Sequence, residues 1–226
     1  MNYVVATTKS WNVENFKALK KKAKANKWFL ITDKNDLVLE KIKKINPRYI
    51  FFPHWSWIIP AGIYENFECV VFHMADLPYG RGGSPLQNLI VRGHKDTKIS
   101  ALRVVKELDA GPVYFKRNLS LNGSASEILT RCSKIVFFMI QKIIATEPKP
   151  VEQNGAVIEF KRRKPEEGDI SSLEDLEKVY DYIRMLDAEG YPRAFLEKNN
   201  LRLEFEKAEF KENAVTSVIK IKIIKK

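Results

Sequence analysis

Residues 69–85 read CVVFHMADLPYGRGGSP, and the fold turns on this stretch. Cys69 to Phe72 form a short, unbroken apolar run, which suits a strand buried on both faces of a parallel sheet. The run ends on His73, after which proline and glycine open a loop. Ser84 and Pro85 restart regular structure, serine as a helix N-cap and proline at the first helical position. A histidine at the carboxyl end of a central strand, beside a helix start, lies where open α/β sheets bind ligands. The plain alternative is a histidine that ends a strand and only satisfies backbone.

Before this stretch, strands and helices alternate. Tyr3 to Thr7 is β-prone, and Asn12 is placed to cap a helix in which Val13, Phe16, Leu19 and Ala23 recur at helical spacing. Trp28 to Thr32 is the next strand, Asp36 to Ile45 the next helix, and Tyr49 to Phe52 a third strand. The alternation predicts an α/β fold: a Rossmann-like, mostly parallel sheet with helices on both faces. The turn at residues 6–10 has no glycine, so the dinucleotide fingerprint and the P-loop are both absent. After the third strand comes PHWSWIIPAG, residues 53–62. Trp55 and Trp57 there either plug the top of the sheet or wall a pocket for a planar ligand, with loop backbone reading its edge.

After the Ser84 helix, Lys98 to Val104 reads as a strand that leads into the turn Leu108-Asp109-Ala110-Gly111-Pro112 and a short run, Val113 to Phe115. Ser124 with Glu127 makes a capping box for a long apolar helix reaching about Ile144. Pro148 and Pro150 mark the end of the core, which predicts a Rossmann-like domain over residues 1–160 and an extension over residues 161–226. In the extension, Ser171 and Glu174 signal a helix, and residues 201–210 and 214–224 alternate as a β-hairpin. Such a unit is too small to stand alone; it is expected to pack on the core and to help cover a substrate pocket or a dimer interface.

The chain has 226 residues and 45% hydrophobic content, ample for a core. No apolar run approaches the ~20 residues of a membrane span, and the N-terminus has no leader pattern, so a cytoplasmic protein without membrane partners is expected. Cys69 and Cys132 are too few and too far apart for a disulfide framework or a zinc site, and no metal is predicted. The net charge of +11 invites a nucleic-acid partner. Yet the lysines are spread over helix faces, with no RNP or finger spacing, which points away from nucleic acid and suits an anionic small substrate.

The ordered set His73, Pro78, Arg81-Gly82-Gly83-Ser84-Pro85-Leu86-Gln87 and Leu108-Asp109-Ala110-Gly111 resembles the folate-dependent formyltransferase family. The similarity covers residues 49–119 well and 160–170 loosely. It implies 10-formyltetrahydrofolate as cofactor, His73 and Asp109 as catalytic residues, and Trp57, Ile58, Ile59, Leu108 and Asp109 as cofactor-binding residues. Tyr79, Arg81, Gly82, Gly83 and Ser84 are the implied acceptor-binding residues. LPYGRGGSPLQNLI, residues 77–90, is most similar to the small enzymes that formylate nucleotide-linked 4-amino sugars, of the kind made on pseudaminic-acid type surface-glycan pathways. A methionyl-tRNA formyltransferase-like enzyme and a folate-binding protein without transferase activity are the alternatives. One departure stands out. The family's asparagine, two residues before the histidine, is Val71 here; His54, at the end of the neighbouring strand, is the candidate surrogate donor, the alternative being that it hydrogen-bonds its own loop while an ordered water or His73 alone serves. His94 has no family counterpart and is expected at the surface.

Overall fold

The computed structural model describes residues 1–224. The chain forms two compact units. The first comprises Met1–Gly82, Lys98–Leu119 and Thr130–Glu159; the second comprises Gly83–Thr97, Ser120–Leu129 and, among the described residues, 160–224.

The first unit is built on a six-stranded sheet. Its strands are β1 (Asn2–Ala6), β2 (Lys27–Ile31), β3 (Tyr49–Pro53), β4 (Cys69–His73), β6 (Asp96–Arg103) and β7 (Val113–Ser120), in the order β2-β1-β3-β4-β6-β7. The first four run parallel, joined by α1 (Ser10–Lys22), α2 (Leu39–Ile45) and the single turn α3 (Ala61–Tyr64). The register is fixed by side-chain alternation. Val4, Ala6, Ile50 and Phe52 face a core cluster with Ile42 of α2 and Ile63 of α3. Tyr3 and Phe51 point the other way, where Tyr3 meets Trp28 at 5.0 Å between ring centroids. Phe16 of α1 closes edge-on to the same Trp28. β4 is buried along nearly its whole length and pairs antiparallel with β6, His73 opposite Ser100. The reversal at β6 is the departure from a purely parallel sheet, and it brings the 108–111 turn to the carboxyl end of β4.

A strand absent from the sequence expectations, β5 (Tyr79–Gly82), pairs with β8 (Ile158–Phe160). Four residues broken by two glycines carry no β signal, and pairing with a distant partner supplies the structure.

In the second unit, α4 (Pro85–Val91) lies with α6 (Leu176–Leu186) and a three-stranded sheet, order β11-β10-β9, from β9 (Ala194–Lys198), β10 (Leu201–Lys211) and β11 (Ala214–Ile223). The hairpin expected from alternation is therefore there, with a third strand added. The expected boundary at residue 160 is crossed, because two segments before it hydrogen-bond to the tail. Gln87 Nε2 donates to Met185 O (3.3 Å), and the buried Arg184 donates to Leu121 O (2.6 Å) and Gly123 O (2.8 Å). The expected Ser171 cap is replaced: Asp175 caps α6 by accepting from Glu177 N–H at 2.9 Å. The Ser124–Glu127 box forms, at the start of α5 (Ala125–Thr146). No described helix is long and apolar enough to cross a membrane.

Candidate active site

His73 ends β4 and is buried, with 8% of its surface exposed. Its Nε2 lies 2.7 Å from the carbonyl oxygen of Gly80, on β5. A carbonyl only accepts, so Nε2 carries a proton. Its Nδ1 lies 3.5 Å from Asp109 Oδ2. With Nε2 committed as a donor, Nδ1 and the carboxylate would meet as two acceptors unless a proton sits between them. The pair thus sets the second ring nitrogen against a carboxylate, in surroundings that exclude most water.

Asp109 reaches this position by an unusual backbone. Its φ is +52°, left-handed for a residue with a side chain, a conformation that aspartate tolerates better than most. Its Oδ2 also accepts from Gly82 N–H at 3.0 Å. Gly111, two residues on, is held against β6 so closely that a Cβ there would sit 1.9 Å from Arg103 O. Glycine is required at that position by space alone.

The loop after His73 is anchored separately. Ser100 Oγ donates to Ala75 O at 2.7 Å. Lys116 donates to Leu77 O and to the Asp76 carboxylate, which Lys98 also meets at 2.8 Å. Partial burial alone would raise the Asp76 pKa, but the hydrogen bonds and charges of the two lysines outweigh it and hold the carboxyl below its ordinary value.

Arg81 presents Nε (3.1 Å) and Nη2 (2.8 Å) to Gln153 Oε1, and Gln153 Nε2 donates to the carbonyls of Asp109 and Gly111, both at 2.8 Å. Tyr79 opens β5 and is half-buried. Gly83 and Ser84 belong to the second unit. Gly83 N–H donates to Phe160 O at 2.9 Å, and a Cβ there would come within 2.6 Å of Arg162 Cβ. Ser84 does not cap α4 with its side chain, contrary to expectation. Its backbone is left-handed (φ +50°), which turns the hydroxyl away from the helix; Oγ instead accepts from Arg163 N–H at 3.1 Å.

His54 follows β3 with φ +52°, and its ring stands edge-on to Trp11, 5.8 Å between centroids. Desolvation, helped by the charge of Lys9, lowers its pKa from 6.5 to about 4, so the ring is neutral at pH 7. Trp55 and Trp57 meet edge-on at 5.1 Å, and the buried Trp55 Nε1 has no hydrogen-bond partner among the described residues. Trp57 and Ile58 are exposed, Ile58 at 81%, and Leu108 is exposed as well. Ile59 is buried in the core cluster, which leaves only its backbone for a ligand. No hydrogen bond among the described residues joins this loop to His73 or Asp109.

The structure therefore brings His73, Asp109 and Gly82 together, and adds Gly80, Ser100, Lys116 and Gln153, which carry no sequence signal. Gly80 acts through its carbonyl and Gln153 lies in an irregular segment, so neither could be picked out by residue type. Burial pushes the thiols of Cys69 and Cys132 up to about 12, which removes a thiolate nucleophile at neutral pH. A shallow cavity of about 610 Å³ lined by Met1, Asn2, Arg48 and Glu68 lies at the amino ends of the strands, opposite to His73.

Residues 165–222 match the family model described as "Methionyl-tRNA formyltransferase, C-terminal domain". A solved structure, "Methionyl-tRNA formyltransferase from Clostridium thermocellum", is 54% identical with TM-score 0.97, and 99% of each chain is covered. The methionyl-tRNA formyltransferase of Rickettsia felis is 26% identical over 186 residues, 79% of this chain and 61% of that protein. The chain thus spans about three fifths of the length of the curated relatives it matches. HypX from Aquifex aeolicus, solved in complex with tetrahydrofolic acid, is similar at 15% identity and TM-score 0.74, over 91% of this chain and 37% of that one, and shares the fold.

Proposed function

Because the chain belongs to the folate-dependent formyltransferase family, we propose that it transfers a formyl group from 10-formyltetrahydrofolate to the primary amine of a nucleotide-linked 4-amino sugar. The observation that carries the transfer chemistry is the buried His73–Asp109 pair at the carboxyl end of β4.

The attacking amine must be neutral, whereas free amines have pKa values of about 8–10. A group in the site must take its proton. Once the contact with Gly80 is given up, the tautomer with its proton on Nδ1, facing Asp109, leaves Nε2 free to take the amine's proton, and Asp109 stabilises the imidazolium that forms. General acid–base help of this kind is worth about 10²–10⁴ in rate.

The donor, when bound, supplies the activated formyl group. The residues fit such a ligand. Trp55 offers an orphaned indole N–H, and Trp57, Ile58 and Leu108 offer exposed apolar surface. The backbone groups of Trp55 to Ile59 make no backbone hydrogen bond among the described residues. These groups would hold the planar ring, by stacking and edge recognition.

Val71 has no donor for the oxyanion that develops as the amine attacks, and loss of one such contact costs about 3–4 kcal/mol. His54 supplies the replacement in this scheme. In its neutral form one ring nitrogen still donates, and a neutral donor needs no proton from solution.

For the acceptor, the support is the 77–90 stretch, whose Tyr79, Arg81, Gly82, Gly83 and Ser84 resemble the sugar enzymes. A second acceptor, methionyl-tRNA, is favoured by the names of the relatives and by the charge of +11. Salt separates them. Turnover of a tRNA falls steeply between 50 and 200 mM salt, whereas turnover of a nucleotide sugar changes little. Screening UDP- and dTDP-4-amino sugars beside methionyl-tRNA, with product mass as readout, decides which is formylated.

A further inference from the structure

We propose that Gln153 is a positioning residue for the His73–Asp109 pair, which deepens the formyl-transfer reading and rests on it. One side-chain amide has two N–H groups and one oxygen, and here all are used. The oxygen accepts the Arg81 fork, and the nitrogen donates to Asp109 O and Gly111 O. Glutamate accepts but does not donate; lysine and arginine donate but do not accept. Asparagine is one methylene short. Only glutamine joins these three partners at this reach.

What it joins matters. Arg81 lies on β5 between Gly80, whose carbonyl meets His73 Nε2, and Gly82, whose N–H holds Asp109 Oδ2. Asp109 and Gly111 frame the left-handed turn that presents the carboxylate to His73 Nδ1. Gln153 therefore ties the strand that addresses one side of the imidazole to the turn that addresses the other. A left-handed non-glycine residue persists only where its surroundings over-determine it, and the Gln153 N–H to Asp109 O bond is one of the contacts that do so. Gln153 touches neither His73 nor a reacting atom. It acts through Asp109.

The test separates the two halves of the amide. Gln153→Glu keeps a partner for Arg81 and removes both donations to the turn; Arg81→Met does the reverse. The Gly82 amide proton reports the Asp109 contact directly by hydrogen exchange, with no substrate present. In Gln153→Glu that amide is expected to exchange at least about tenfold faster than in the intact protein, and in Arg81→Met, which cuts the other end of the same tie, faster as well. With substrates, Gln153→Glu is expected to lower kcat about tenfold or more while KM for donor and acceptor stays within about twofold. Should Gln153→Glu fail to fold, Gln153→Met removes the same donations without the added charge. Unchanged Gly82 exchange in the Gln153 variants overturns the inference, as does faster exchange with undiminished kcat. If no amine is formylated by the intact protein, the formyl-transfer reading fails, while the Gly82 measurement still judges the role of Gln153.

Discussion

Asp109→Asn isolates the charge of the carboxylate from its shape. Asparagine tolerates left-handed backbone at least as well as aspartate, so the φ of +52° is kept. Its amide oxygen still accepts from Gly82 N–H, now 3.0 Å away. What disappears is the negative charge 3.5 Å from His73 Nδ1. At an effective dielectric of about 20, a full charge pair at that separation is worth about 4–5 kcal/mol. Side-chain exposures of 9% and 12% leave little solvent screening to reduce it. Only the part that grows between ground and transition state affects rate, and general acid–base effects place that part at about 3–5 kcal/mol. Asp109→Asn should therefore lower kcat about 10²–10⁴-fold, with KM for the donor little changed and Tm within a few degrees of the parent. The assay is steady-state formyl transfer with a thermal melt as control. A folded Asp109→Asn enzyme with kcat within about tenfold of the parent would refute the assignment of Asp109 as the charge partner.

Other expectations follow from individual contacts. His54→Ala should lower kcat with little change in folate affinity, and adding Val71→Asn should restore part of the loss; a His54→Ala enzyme as fast as the parent would end the surrogate-donor idea. Because the His54 pKa is lowered from 6.5 to about 4 in the folded state, the unfolded chain binds the extra proton first as pH falls. The stability this group supports is complete above about 6.5 and is lost progressively down to about 4, by up to about 3 kcal/mol. A His54→Gln protein should show a flatter denaturation midpoint over that window, and an identical pH profile would contradict the burial argument. Gly111→Ala drives a Cβ to 1.9 Å from Arg103 O, which should cost at least about 2–3 kcal/mol and lower Tm by about 5–10 °C; a melt unchanged within 2 °C or so would mean the turn has room to move.

Much of the first unit was legible because its signals are local. Four apolar runs separated by helical periodicity gave the parallel strands, and the strand-ending position of His73 followed from where the apolar run stopped. The Asp109 turn could be read as a turn, but nothing local showed that the antiparallel β6 would carry it to the end of β4. That proximity depends on sheet order, which is a long-range property. Ser84 illustrates the opposite failure. Serine before proline is a sound capping signal, yet close packing of Gly83 on Arg162 and the left-handed backbone turn the hydroxyl elsewhere. Gln153 was illegible for a further reason: a polar residue in an irregular segment has no periodicity, and its value lies wholly in three partners 42 to 72 residues away. The link between α4 and α6 is illegible for the same cause, since the Gln87–Met185 hydrogen bond follows from no local pattern.

The most direct test of the account is formyl transfer by the parent protein and by His73→Ala. Each is incubated with 10-formyltetrahydrofolate and the screened amines, and the acceptor mass is followed in time. The account predicts that the parent adds one formyl group to a primary amine, and that His73→Ala, folded to the same melt, loses at least about 10²-fold in kcat/KM. A His73→Ala protein that kept more than about a tenth of the parental kcat/KM would contradict it.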